Sequence, residues 1–373
     1  MRLGLTFPCV LLLTAALATT VRAEPPEAPT GTVVVPLGDS PSRGGEREVR
    51  LDQPFSMVGL TWSGEAPDRV ELRPLTEGGW GTWTDAELTS ARGSEPVWTG
   101  RTTGVQVRAT RGGDDVTGEL RLVALRPSAG SAPVAAPPPG APAPDPTPEP
   151  TAAPSSLPEA PSSAAGPSSA VATPRHASAP PPLVRRADWG ADERSMTWTP
   201  QPTETRAAVV HHTAGTNDYG CADSAAIVRG IFEYHAVHLG WGDIGYHALV
   251  DKCGTIFEGR AQGLERDVIG GHAMGFNPNT FGVAMLGSFQ DVVPTSEALT
   301  ATGAIIGWKL RESGVAPDSA VELVSTGGKG SLHPPGAGVR LPAIFAHRDV
   351  GQTLCPGQLA YDRLDEIRSA ALG

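Results

Sequence analysis

The feature that most constrains the fold is a proline-rich stretch from residue 128 to residue 182. Seventeen prolines fall within these 55 residues, alanine and serine fill most of the rest, and no aromatic residue occurs. Such a composition cannot bury a hydrophobic core, so we predict a disordered, extended linker. In polyproline II form the linker would span on the order of 170 Å, at about 3.1 Å per residue. The chain is therefore predicted to fold as two modules held apart.

The first 23 residues have the pattern of a secretory signal peptide. Arg2 gives a positive start, Val10–Ala18 is an apolar core too short to span a bilayer, and Val21-Arg22-Ala23 is a small-x-small cleavage site. No second hydrophobic span follows, so we predict a secreted protein with no membrane span once the signal is removed. The net charge of −11 includes no basic stripe, which argues against nucleic acid as a partner.

Residues 30–127 are predicted to form an all-β sandwich domain. Short β-rich runs alternate with glycine-rich turns, and this spacing is typical of a sandwich. The segment contains no histidine and no cysteine, so we predict no catalytic group in it. An exposed tryptophan could stack on a sugar ring, or all four could belong to the core and corners. The four tryptophans are Trp62, Trp80, Trp83 and Trp98.

Residues 183–373 are predicted to form an α/β domain in which helices cover one sheet. Apolar spacing predicts a helix from about Asp223 to His238 and a second from Thr295 or Ser296 to about Arg311. A hairpin region is expected at about Val321–Leu341. The predicted strands are Ala207–His212, Gly245–Asp251, Thr255–Glu258, Phe281–Leu286 and Ala343–Ala346.

Two of these predicted strands end on histidine, and together with one cysteine they suggest a zinc site. The last strand leads into His347, and Cys355 follows eight residues later. An earlier apolar strand ends on His211. Zn²⁺ binds imidazole nitrogen and thiolate sulfur, and a catalytic site keeps one position open for water. Taken singly, each histidine could be a structural residue and the cysteine a small buried hydrophobe.

The cysteine count supports a free thiol at residue 355. Cys9 would leave with the signal peptide, so three cysteines remain in an exported protein, where cysteines tend to pair. We predict a disulfide between Cys221 and Cys253, because this pairing leaves Cys355 free to bind metal. The alternative is that all three are free thiols.

Five motifs occur in one order along the second module and resemble a known family. They are Val210-His211-His212-Thr213-Ala214-Gly215, Trp241-Gly242-Asp243-Ile244-Gly245-Tyr246-His247, Glu258-Gly259-Arg260, Gly271-His272-Ala273 and His347-Arg348-Asp349-Val350 followed by Thr353-Leu354-Cys355-Pro356-Gly357. This set resembles the peptidoglycan recognition protein family of zinc N-acetylmuramoyl-L-alanine amidases, the amidase type 2 fold shared with phage T7 lysozyme. The resemblance covers roughly residues 183–370. It implies a central mixed sheet flanked by helices.

The resemblance also implies roles for individual residues. The ligands of one Zn²⁺ fall on His211, His347 and Cys355, and the tyrosine that assists catalysis falls on Tyr246. Thr353 takes a position near the metal that carries lysine in some relatives. The resemblance places Arg260 and His272 in the substrate groove, where we also place His212.

Strand geometry adds to this assignment. Adjacent strand residues face opposite sides, so only one of His211 and His212 can reach the zinc, and His212 is expected to hydrogen-bond instead. By the same argument, only one of Tyr246 and His247 should face the metal. Tyr246 is the better candidate, because a tyrosine donates a hydrogen bond to an oxyanion without competing for zinc. The group that carries the proton to the leaving amine stays open, because no glutamate stands beside Tyr246 in the sequence.

These observations predict a secreted, cell-wall-associated zinc amidase that cleaves the bond between N-acetylmuramic acid and L-alanine in peptidoglycan. Two alternatives stay open: a peptidoglycan-binding protein without activity, and a zinc hydrolase of another amide such as an endopeptidase. We expect a monomer. The preferred stem peptide is open, because Ala261-Gln262 stands where some relatives have Gly-Trp.

Overall fold

The computed structural model describes residues 31–90, 92–127 and 179–373. The predicted signal peptide and residues 128–178 of the predicted linker lie outside these ranges, so both stay predictions. No helix within the described ranges is long and apolar enough to cross a membrane.

The N-terminal module is built of strands, as predicted. Within residues 31–127, as far as they are described, hydrogen bonds join eleven strands into one sheet. The strands are β1 (Val33–Pro36), β2 (Ser42–Arg43), β3 (Glu46–Trp62), β4 (Arg69–Thr76), β5 (Gly79–Trp80), β6 (Thr84–Asp85), β7 (Leu88–Ser90), β8 (Gly93–Ser94), β9 (Val97–Arg111), β10 (Asp114–Asp115) and β11 (Leu120–Leu125).

The two longest strands, β3 and β9, organise this sheet. The main strand order is β1-β11-β3-β9-β4-β5, and the register of β3 against β9 shifts between Arg50 and Phe55 and again before Met57. Such bulges bend a strand and increase its twist, so one strand can continue from one layer into the next. The all-β prediction is confirmed. The bulged strands keep the hydrogen bonding continuous through the eleven strands.

All four tryptophans of this module contact other side chains or lie in the core, and Trp80 lies beneath the guanidinium of Arg50, whose Cζ is 5.0 Å from the ring centroid. Trp62 and Trp98 are buried. The ring of Trp83 lies beneath two guanidinium groups, with the Cζ atoms of Arg73 and Arg108 at 4.5 and 4.3 Å from the ring centroid. These contacts favour roles in the core and in cation–π pairs over stacking on a sugar.

The second module contains a mixed sheet. Its strands within residues 179–373 are β12 (Ala207–His212), β13 (Ala248–Val250), β14 (Ile256–Glu258), β15 (Thr280–Met285), β16 (Ala320–Val324), β17 (Gly338–Pro342) and β18 (Ile344–Ala346). Five of them form the central sheet in the order β14-β13-β15-β12-β18, parallel except for β14, while β16 and β17 form a separate hairpin. Every residue of β12 and β15 is buried, as expected for strands covered on both faces.

Helices cover this sheet and confirm the predicted α/β architecture. Within residues 179–373 they are α1 (Arg186–Trp189), α2 (Ser224–Glu233), α3 (Ser296–Glu312), α4 (Gln358–Tyr361) and α5 (Leu364–Leu372). One π-helical turn, Tyr234–His238, prolongs α2, so the helix predicted to reach residue 238 changes geometry on the way. The side chain of Thr295 caps α3 by accepting a hydrogen bond from the Ala298 N–H at 3.2 Å.

The cysteines pair as predicted. Cys221, at the entrance to α2, is bonded to Cys253 in the turn between β13 and β14. Cys355 is a buried free thiol. The disulfide therefore leaves one sulfur available for a metal.

The two modules share one hydrophobic core, although the linker composition predicted separation. Met57, Trp98 and Leu125 from the β-sheet belong to the same buried cluster as Val228 and Phe232 of α2. Shared burial of this kind resembles the interior of a domain and excludes water from the contact. The prediction that the modules are held apart is therefore wrong for the described residues.

Close packing at Tyr234 fixes this contact. The tyrosine is fully buried, and its hydroxyl donates a hydrogen bond to the carbonyl of Leu60 at 2.9 Å. Its ring lies so close to Gly59 that a Cβ atom there would overlap it. Gly93 approaches Leu239 in the same way. The β-sheet thus seats directly on the end of α2.

Candidate metal centre

The parallel pairing of β12 with β18 brings two histidines together. Val210 lies opposite Ala346 in the register, so the next residues, His211 and His347, leave the same edge of the sheet. Their ring centroids are 4.6 Å apart. The sheet therefore produces the pair of imidazoles that the two apolar strands predicted.

A short loop returns Cys355 to these histidines. Its Sγ lies 3.6 Å from Nδ1 of His211, and the donor atoms of His211, His347 and Cys355 all lie within 4.8 Å of one another. Two backbone contacts hold the loop: the Cys355 N–H donates to Thr353 Oγ1 at 3.0 Å, and the Arg348 N–H donates to the Cys355 carbonyl at 3.0 Å. His211 thus meets a histidine and a cysteine from a loop more than a hundred residues later in the chain.

The chemistry of these donors fits Zn²⁺. Burial lowers the pKa of His211 well below its usual value and that of His347 to about 4, so both imidazoles are neutral ligands at neutral pH. Burial raises the pKa of the Cys355 thiol well above its usual value. A coordinating metal deprotonates a thiol, so metal binding here would release a proton. Two nitrogens and one sulfur leave a fourth tetrahedral position for water.

His272 orients the ring of His211. Nδ1 of His272 lies 2.9 Å from Nε2 of His211, while the other nitrogen of His211 faces the sulfur. A partner of this kind fixes the orientation of a metal-binding imidazole. We predicted His272 in the substrate groove, and the structure places it both at the cavity wall and against a metal donor.

Tyr246 and His247 have different surroundings, although both precede β13 and neither lies on the strand predicted to begin at Gly245. Tyr246 is buried beside His211, with ring centroids 5.3 Å apart. Burial raises the pKa of its phenol well above 10, and a nearby carboxylate adds to this, so the hydroxyl keeps its proton. His247 instead stacks on Phe281 in the core, with ring centroids 5.1 Å apart.

A glutamate of the β domain contacts two further predicted site residues, His212 and Thr353. Glu87 accepts a hydrogen bond from Thr353 Oγ1 and lies 2.7 Å from Nε2 of His212. Burial raises the pKa of this carboxyl, but the bonds from His212 and Thr353 outweigh it, and the net pKa is lowered. His212 therefore makes a hydrogen bond, as the sequence suggested, although its partner comes from the other module.

A second glutamate of the β domain reaches Tyr246. The tyrosine hydroxyl donates a hydrogen bond to Glu95 at 3.1 Å. The sequence provided no signal for either glutamate, because the β domain has no catalytic motif and Glu95 precedes Tyr246 by 151 residues. The prediction of no catalytic group in the β domain therefore stays a prediction, although the docking of the modules brings Glu87 and Glu95 to the cavity wall.

A cavity of about 500 Å³ opens over the donor set, and both modules line it. Its wall includes Glu87, Leu88 and Glu95 from the β domain, and Tyr246, His347 and Cys355 from the second module.

Arg260 lies behind this wall. Its guanidinium stacks on Trp198 at 3.7 Å and donates a hydrogen bond to the carbonyl of Ile244 at 2.9 Å. Burial lowers its pKa to about 10. Its predicted contact with substrate stays a prediction.

Family models match both modules. A model described as N-acetylmuramoyl-L-alanine amidase matches residues 201–358, and one described as Rv3811 N-terminal galactose-binding domain-like matches residues 16–154. The mixed sheet and the histidine–cysteine centre thus define a type 2 amidase domain, preceded by a galactose-binding-like β domain.

Curated relatives place the chain more closely. Peptidoglycan-recognition protein SC2 of Drosophila simulans is 31% identical over 179 residues, which is 47% of this chain and 80% of the relative. Human N-acetylmuramoyl-L-alanine amidase is 33% identical over 158 residues, 42% of this chain and 23% of the relative. The solved structure of Drosophila PGRP-LB matches with 22% identity and a TM-score of 0.39, covering 49% of this chain and 92% of that one. The chain belongs to the peptidoglycan recognition protein and type 2 amidase family.

Proposed function

We propose that this protein is a secreted, zinc-dependent N-acetylmuramoyl-L-alanine amidase acting on cell-wall peptidoglycan. The observation that carries the proposal is the meeting of His211, His347 and unpaired Cys355 beneath a cavity that also presents Tyr246. The names of the relatives support the substrate, since they include a peptidoglycan-recognition protein and an N-acetylmuramoyl-L-alanine amidase. The products would be a glycan strand with a free lactyl carboxylate and a stem peptide with a free L-alanine amine.

His211, His347 and Cys355 would hold one Zn²⁺. When bound there, zinc supplies Lewis acidity toward the scissile carbonyl and lowers the pKa of a water molecule. His272 holds the His211 ring in place through the contact between Nδ1 and Nε2. The loop contact from Thr353 Oγ1 to the Cys355 N–H holds the sulfur.

Tyr246 supplies hydrogen-bonding power at the reacting carbonyl. Its raised pKa keeps the phenol protonated, and the one hydroxyl proton, which donates to Glu95 in the structure, would turn toward the carbonyl oxygen to stabilise negative charge developing there. Its burial keeps competing water away, which strengthens such a hydrogen bond in a low-dielectric site. In this proposal, Thr353 and His212 shape the wall near the metal donors, and Arg260 supports it from behind.

Replacement of Cys355 by serine tests the proposal. Serine keeps the size of the side chain but removes the soft thiolate that zinc prefers. We expect metal analysis to show loss of zinc, and release of stem peptides from purified sacculi to fall by more than about 100-fold, the upper range for removal of an outer-shell group. Chelator should inactivate the unaltered protein, and added zinc should restore it.

His333→Ala is the matched control, because it removes an imidazole whose ring contacts Phe276 rather than the donor set. This variant should keep both zinc and activity. Mass spectrometry of the products decides between the alternatives. Split stem peptides would indicate an endopeptidase, and tight binding to sacculi without new amino termini, even with added zinc, would indicate a binding protein.

A further inference from the structure

Amide hydrolysis needs a group that moves a proton from the attacking water to the leaving nitrogen. Acidic side chains do line the cavity over the donor set, but both of them, Glu87 and Glu95, come from the β domain. The second module supplies no carboxylate to the described part of the cavity wall. Any carboxylate that acts in this reaction must therefore cross the boundary between the modules.

Glu95 is the better placed of the two. Only 5% of the residue is exposed, and one carboxylate oxygen accepts the hydrogen bond from Tyr246. The other oxygen lies 3.4 Å from Nε2 of His235, in a contact that is not aligned as a hydrogen bond. Among the described residues this buried oxygen has no hydrogen-bond partner. Glu87, in contrast, is engaged by both His212 and Thr353.

The backbone around Glu95 is fixed from both sides. The Glu95 N–H donates to the carbonyl of Glu87 at 2.6 Å, and the Ser94 hydroxyl donates to the Glu95 carbonyl at 2.9 Å. Ser94 Oγ also accepts from the Leu60 N–H at 3.2 Å. The loop that carries Glu95 is thereby tied to the central strand β3.

The position of this loop relative to the second module is equally fixed. Trp98, three residues after Glu95, lies in the core that the modules share, and Gly93, two residues before it, abuts Leu239. Because the chain on both sides of Glu95 is packed in this way, the carboxylate keeps the same position from one turnover to the next. These contacts indicate that Glu95 is a fixed part of the site and not a group that blocks the site and must move away before substrate binds. The cavity beside Glu95 is open.

We propose that the β domain completes the catalytic site and that Glu95 is its proton carrier. This inference rests on the amidase function proposed above. As the water oxygen bonds to the lactyl carbonyl carbon, one water proton passes to the Glu95 carboxylate. Glu95 then gives this proton to the amide nitrogen as the carbon–nitrogen bond breaks. The carbonyl carbon keeps the water oxygen as a carboxylic acid, the amine leaves neutral, and Glu95 returns to its starting state.

Glu95→Gln in the full-length zinc-loaded protein tests the inference. Glutamine keeps the length of the side chain and an oxygen that accepts from Tyr246, but it cannot take up a proton. We expect kcat for release of stem peptides from sacculi to fall by about 100-fold to 10,000-fold, with KM, zinc content and melting temperature close to those of the unaltered protein. Glu77→Gln makes the same change of charge on an exposed turn of the β domain and should have full activity.

The outcomes separate this inference from the proposed function. If the unaltered protein releases no stem peptides, the amidase proposal itself has failed. If it releases them and Glu95→Gln is as active as Glu77→Gln, the amidase stands and the role of Glu95 is refuted. Faster hydrolysis by Glu95→Gln would also refute it, because the carboxylate would then be an obstacle in the cleft. A loss that appears only in KM would reduce Glu95 to a substrate contact.

Discussion

His247 shows how one buried side chain can be fixed in a single protonation state. Its Nδ1 accepts a hydrogen bond from the Gly282 N–H at 2.9 Å, and its Nε2 donates to the carbonyl of Val268 at 2.9 Å. An imidazole that accepts at one nitrogen and donates at the other must be neutral. Burial lowers its pKa to about 3.

This burial makes stability depend on pH. Above about pH 6.5 the ring is neutral both folded and unfolded; between about 6.5 and 3 only the unfolded chain takes up the proton, so stability falls as the pH falls. The cost to the free energy of unfolding should reach about 2.5 kcal/mol between pH 7 and 4.5. In His247→Gln that pH-dependent difference should shrink by this amount, measured by urea unfolding in chelator. His333→Gln is the control, and an unchanged pH dependence in His247→Gln would contradict the assignment.

At this scale the alternation rule was the most useful guide from sequence. It predicted that His211 and His212 diverge, and the structure directs one toward His347 and the other toward Glu87. It also separated Tyr246 from His247, although β13 begins only at Ala248. Glu95 could not be predicted, because its partner is fixed only by tertiary docking and no local pattern encodes a contact across 151 residues.

The packing of α3 against α5 depends on two glycines of α3, which have no side chain. Gly307 of α3 lies against the backbone of Ala371 in α5, and a Cβ atom there would overlap that backbone. Gly303 meets Ile367 and Ala370 in the same way. The helices can approach this closely only because both positions lack a side chain.

Gly307→Ala should therefore destabilise the protein, although alanine is normally more stable than glycine within a helix. In an exposed helix the change would stabilise by about 1 kcal/mol. Here the overlap with backbone should lower the free energy of unfolding by about 1–3 kcal/mol, as overpacking does. Thr300→Ala on the exposed face of α3 is the control and should be neutral or stabilising. A Gly307→Ala protein with a raised melting temperature would show that the helices can move apart without loss.

Element positions were largely predictable from sequence. Apolar spacing placed α3 well, and Thr295 does cap it. The same reasoning found α2 but not its change to a π turn at Tyr234–His238, where the β domain seats and tertiary contacts override the local pattern.

For the whole molecule, the docked β-sheet is the feature that sequence reasoning missed. Met57, Trp98 and Leu125 resemble ordinary inward-facing strand residues, so nothing in their pattern shows that they pack on another module. Composition describes the linker but not the distance between the segments that it connects. The docking depends on the fit between the surfaces of two folded modules, so the sequence pattern of either module alone does not predict it.

Gly59→Ala should test whether docking and activity are coupled. The added methyl group would overlap the ring of Tyr234, so we expect a lower melting temperature and a parallel loss of amidase activity as Glu95 shifts away from Tyr246. Gly78→Ala adds the same methyl group in an exposed turn, where only Thr76 is near, and should be silent. Full activity in a Gly59→Ala protein whose modules had come apart would show that the second module works alone.

The shared core has a consequence for the covalent continuity of the chain. Because the modules contact each other through buried surface and hydrogen bonds such as that from Tyr234 to Leu60, a protease that cuts between residues 128 and 178 would not by itself separate them. The nicked protein would persist as a two-fragment complex with both carboxylates still facing the donor set. Cleavage in this region would therefore leave the site between the modules assembled.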